Sequence, residues 1–181
     1  MLIHLVSQQP DIIFAILRRT PVWVWGLLAG FFALGISQLR DRSASLVRIS
    51  LLPLGMTLFS AWGTLSAFGS SPLLEAAIGV WIAGSMLLFF IVAPGHSAAS
   101  YDPVRRTYAL PGSLAPLALI LGIFLVKYIV GVELAMAPRL MRDPQYALTV
   151  AGLYGAFSGM FIGRAARLWR LALTTRTPLA A

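Results

Sequence analysis

The stretch Leu114–Ala135, LAPLALILGIFLVKYIVGVELA, decides the fold. It runs for twenty-two residues with two ionisable side chains, Lys127 and Glu133. A helix rising about 1.5 Å per residue needs roughly 20 apolar residues to cross a hydrocarbon core of about 30 Å. In lipid, such a run can satisfy its backbone only through hydrogen bonds within its own helix. Four more runs have the same character: Pro21–Leu39, Val47–Phe68, Leu73–Ala93 and Tyr146–Leu168. The expected fold is all-α, a membrane bundle of five transmembrane helices forming one integral domain over the 181 residues. Composition agrees: 11% of the chain is charged and 59% hydrophobic, where soluble proteins are about 25% charged.

The N-terminus lacks the basic n-region of a cleaved signal peptide, since Arg18 and Arg19 follow rather than precede the apolar stretch Ile12–Leu17. That stretch is too short to cross. Starting at Pro10-Asp11 and ending before Thr20-Pro21, it reads as a short interfacial helix lying on the membrane. Five crossings put the termini on opposite sides. Arg40, Arg42, Arg48, Arg105, Arg106, Arg164, Arg167, Arg170 and Arg176 then share one side, nine residues against the four of Arg18, Arg19, Arg139 and Arg142. The positive-inside rule predicts the N-terminus outside and the C-terminus in the cytoplasm. Trp23 and Trp25 at one interface and Trp169 at the other fit as anchors. The formal net charge of +8 is accounted for by loops and anionic headgroups, so nucleic acid is not an expected partner.

Helices in lipid associate through close contact at small residues. Gly155, Gly159 and Gly163 repeat every four residues in the last run, with Gly152 one turn earlier; Gly26 and Gly30 form a single repeat in the first. Two readings stand: packing within the bundle, or pairing with a second copy or another membrane protein. Between the third and fourth runs, Asp102-Pro103 signals a turn and Thr107–Leu110 alternates like a strand. A small cytoplasmic β-hairpin is expected, ended by Pro111-Gly112, with Ser113 capping the next helix. It is either a structured connector or, through its free backbone edge, a docking site.

Ionisable side chains at membrane depth are expensive, by about 3 kcal/mol on insertion scales. Lys127 lies eight residues from the end of its run, about 12 Å below that surface. Trp62, Trp81, Tyr154 and Ser60 fall at the same depth on neighbouring runs, with Glu75 and Thr64 slightly above. The expected site is an outward-facing pocket around Lys127, Glu75, Trp62, Trp81 and Tyr154, with Lys127 reaching toward Glu75. The plainer reading is a snorkelling or structurally paired lysine.

The absence of cysteine rules out thiolate chemistry. His4 and His96 fall on opposite sides, too far apart to ligate one metal. HExxH, the Walker loop, GxSxG and the dinucleotide fingerprint are all missing in a fitting context. No catalytic residue, metal or cofactor is expected, and Asp41, Asp102 and Asp143 read as caps or ion pairs beside arginines.

Thr20–Val24, the hairpin from Tyr101-Asp102-Pro103 to Leu110-Pro111-Gly112-Ser113, Ile123–Val132 and Tyr154–Gly159 together resemble a family of small, uncharacterised, multi-pass inner-membrane proteins of proteobacteria. The resemblance runs from Thr20 to about Arg170 and implies a bacterial inner-membrane location and a shared fold, with no activity to carry over. The middle of the chain is also similar to CcdC-like membrane proteins. The leading expectation is a non-enzymatic interaction or assembly component; the alternative is a small carrier or lipid-binding protein using the Lys127 pocket.

Overall fold

Six helices and three short strands make up residues 11–175, the part of the chain this computed structural model describes; His4, Arg176 and Ala181 lie outside it. The helices are α1 (Asp11–Arg19), α2 (Val22–Ile36), α3 (Leu46–Phe68), α4 (Leu74–Val92), α5 (Leu114–Met136) and α6 (Pro144–Thr175). Strands β1 (Arg42–Ser45), β2 (Ser100–Asp102) and β3 (Thr107–Leu110) complete the order, with a 3-10 turn at Pro138–Arg142.

Helices α3 to α6 are long and apolar enough to cross a membrane. Helix α2 has 15 residues and at 1.5 Å per residue is about 22 Å long, short of a 30 Å core. Its run does not stay helical to Leu39. The backbone tightens after Ile36, where Gln38 N–H bonds to Gly35 O at 3.0 Å and Leu39 N–H to Ile36 O at 2.9 Å. Helix α6 exceeds its expected end, Leu168, by seven residues to Thr175. The reason is a second packing surface: Leu168, Leu171 and Ala172 rest on Tyr108, Ala44 and Ile49 beside the sheet.

The hairpin gains a partner that the sequence reading missed. Strand β1 pairs antiparallel with β3, Ala44 opposite Tyr108, giving a three-stranded sheet of order β1-β3-β2. The β3 edge expected to be free is therefore filled. Gly112 sits where an added Cβ would strike Leu39 O, and its N–H bonds to Asp41 Oδ1 at 2.8 Å. Together with Ser113 N–H on Gln38 O at 3.0 Å, this ties the end of α2 to the start of α5. Ser113 caps α5 as expected, its hydroxyl accepting from Ala115 N–H.

The largest interface in the protein joins α4 to α6, and the glycine stripe builds it. An added Cβ at Gly155 would strike Trp81 O, one at Gly159 would strike Ser85 O, and one at Gly163 would lie 2.9 Å from Val92 Cβ. Across from them, a Cβ on Gly84 would lie 3.2 Å from Gly152 O. The backbones touch because no side chains stand between them. The stripe is thus consumed inside the chain. Gly26 and Gly30 differ: an added Cβ at either would meet nothing within 4 Å.

Candidate functional site

Lys127 is half-buried, and its partners are on α3. Its ammonium donates to Phe59 O at 3.0 Å and lies 3.8 Å from the centre of the Phe59 ring. A lysine packed this way gains a charge-assisted hydrogen bond and a cation–π contact in one place. Gly63 makes the space: an added Cβ there would stand 2.9 Å from the Tyr154 ring and 3.1 Å from Lys127 Nζ. Ser60, fully buried, joins three helices by donating to Tyr154 O at 2.8 Å and accepting from Trp81 Nε1 at 3.0 Å.

The structure therefore brings Lys127, Tyr154 and Trp81 together through Phe59, Ser60 and Gly63. It leaves out the other two expected members. Trp62 is 68% exposed on the outer surface of α3, and Glu75 is exposed in the first turn of α4. The reach of Lys127 toward Glu75 is replaced by its bond to Phe59 O, because the lysine stem lies along α3. Glu133, on the same helix as Lys127, lies beside Tyr146 instead. The polar atoms of Lys127, Ser60 and Trp81 are matched within the packed interior, as a helix junction requires.

A cavity of about 1020 Å³ opens at the sheet end, between α2, α3, α5 and α6, at the upper end of the range for small-molecule sites. Its apolar depth is made by Phe31, Leu52, Met56, Phe59 and Phe161. Its other wall carries Arg42, Arg48, Arg164 and Arg167, with exposed His96 at the rim. The lining includes no Asp or Glu. A smaller cavity of about 290 Å³ between α1, α2 and α5 is apolar apart from Thr20 and Tyr128, whose hydroxyls bond to each other at 2.7 Å. Neither cavity is lined by Lys127, Glu75, Trp62, Trp81 or Tyr154.

Each arginine is held differently. Arg42 donates to Gln38 Oε1, and burial, followed by the neighbouring Arg48 charge, lowers its pKa from the ordinary guanidinium value. Arg167 donates through Nε to Val92 O at the end of α4, and Arg170 Nη1 reaches Ala93 O at 3.2 Å, a cationic cap on a helix C-terminus. Gly95 leaves room for the Arg167 guanidinium, whose Cζ would lie 2.6 Å from an added Cβ. Among the described residues, the Arg48 and half-buried Arg164 guanidiniums have no hydrogen-bond or carboxylate partner. Nearby carboxylates are engaged elsewhere: Asp41 with Gly112 N–H, and Asp102 with Val104 and Arg105 N–H and with the Arg105 guanidinium at 4.0 Å. The arrangement suits a molecule with an anionic head and an apolar body.

In the sequence these arginines stand as topology signals. A sharper signal was present, because Arg164 and Arg167 fall inside the run Tyr146–Leu168, where ionisable side chains mark sites by default.

One family pattern, that of a family of unknown function (DUF6622), matches residues 1–180. The chain belongs to that family. No curated protein and no solved structure matches it, so the likeness to CcdC-like proteins has no support from these comparisons.

Proposed function

We propose that the protein is a five-crossing protein of a bacterial inner membrane that binds an anionic amphiphile in the arginine-lined cavity, without catalysing a reaction. Four full-length apolar helices support the membrane setting, with the shorter α2 as the fifth crossing. Among the described residues, eight arginines (Arg40, Arg42, Arg48, Arg105, Arg106, Arg164, Arg167 and Arg170) lie toward the sheet end and four (Arg18, Arg19, Arg139 and Arg142) toward the other. That bias supports an external N-terminus and a cytoplasmic sheet. The observation that carries the binding role is the cavity lining, where four arginines and an apolar depth occur together with no carboxylate among them.

This reading moves the lipid-binding alternative from Lys127 to the sheet end. The assembly role is less well supported, because β1 occupies the β3 edge and α4 occupies the glycine stripe, which leaves it only the outer sheet edges of β1 and β2. The test is purification from membranes in an uncharged detergent, followed by mass spectrometry of the bound lipids. Anionic species enriched over the bulk membrane in the wild type, and depleted in R164Q/R167Q, are the expected result. A bound-lipid profile identical to the bulk membrane overturns the proposal.

A further inference from the structure

Resting on that reading, we infer that the anionic head recognised in the cavity is a phosphate ester rather than a carboxylate. The wall carries four guanidiniums and no acidic side chain, so a monoanion leaves at least three positive charges unmatched inside a partly desolvated cavity. A phosphate monoester carries about −1.5 to −2 near neutral pH and three acceptor oxygens, and a diphosphate carries more. The planar guanidinium fork matches phosphate oxygens two at a time.

Arg48 and Arg164 have all their side-chain N–H groups uncommitted among the described residues, and Arg42 and Arg167 each have one donor committed. With five N–H groups per guanidinium, many more donors remain than a carboxylate's two oxygens can accept. Ser97 and Ser113 line the same wall and accept backbone N–H bonds, which leaves their hydroxyl protons to donate. The five apolar side chains of the depth take the first part of the ligand's chain. The ligand class is thus a phosphate or diphosphate ester of a long apolar alcohol or acylglycerol, held head toward the sheet.

The experiment is competition binding on the full chain in maltoside detergent, using dodecyl phosphate, dodecanoate, dodecyltrimethylammonium and inorganic phosphate. The expected result is dodecyl phosphate binding at least about tenfold tighter than dodecanoate, with no binding of the ammonium compound. That preference should vanish in R164Q/R167Q and shrink in R48Q, a rim variant that leaves the helix packing intact. It should persist in R105Q/R106Q, which removes charge from the hairpin turn at the same end. Equal affinity for dodecanoate overturns the phosphate assignment and leaves the amphiphile reading standing. Equal competition by inorganic phosphate keeps the phosphate assignment and overturns the amphiphile reading. Failure of every anion to bind overturns both.

Discussion

Lys127 was the most conspicuous residue in the sequence, and its surroundings mark it as a packing element. An ammonium resting on the Phe59 ring and bonded to Phe59 O needs no external ligand to justify its depth. Lys127→Met is expected to lower stability in detergent by about 1–2 kcal/mol, the loss of one cation–π contact and one charge-assisted hydrogen bond. Amphiphile binding should be unchanged, which thermal unfolding and ligand titration on the same sample will check. Gly159 is less forgiving. Its missing side chain lets α6 touch Ser85 O and Leu88 on α4, so Gly159→Val is expected to destabilise by about 1–3 kcal/mol or more. Gly30→Val, with open space around the Cβ, should unfold like the wild type in the same thermal scan.

Among the elements, the apolar runs were the most legible, because uninterrupted hydrophobicity fixes a lipid-compatible helix with little help from elsewhere. The observed bounds of α3, α4 and α5 fall within one residue of the runs read as Val47–Phe68, Leu73–Ala93 and Leu114–Ala135. Strand β1 was illegible. Arg42-Ser43-Ala44-Ser45 has no β-branched or aromatic residue, and it becomes a strand only because β3, more than sixty residues later, offers Ala44 a place against Tyr108. The extra length of α6 was hidden for a similar reason: Trp169 and Arg170 end the apolar run, while Leu171 and Ala172 serve the sheet. Ala44 is 2% exposed and faces Tyr108 at 0%. Ala44→Asp would bury a carboxylate there and should release β1. Limited proteolysis between β2 and α5 is expected to accelerate severalfold over wild type.

Across the described residues, eight arginines lie toward the sheet end and four toward the other, and the proposed orientation and site both rest on that segregation. Four of the five apolar runs were readable as full-length helices, but the cavity was not, because it is formed by side chains from α2, α3, α5 and α6 that meet only after folding. A reporter inserted after Thr175 is expected to show cytoplasmic activity, and one placed in the Gly69–Pro72 turn should show activity on the far side. Matched signals at both positions would contradict the proposed topology.

The brevity of α2 carries a consequence for how a ligand arrives. In the proposed five-crossing topology, a crossing of about 22 Å beside neighbours of about 35 Å would make the surrounding lipid thin to meet it. That pinch would lie along the flank where Leu34, Ser37 and Gln38 border the cavity, and in the proposed orientation it would draw inner-leaflet headgroups toward Arg42. Lipid uptake by reconstituted protein should therefore be faster in short-chain bilayers than in long-chain ones, and lengthening α2 by one apolar turn should erase the difference.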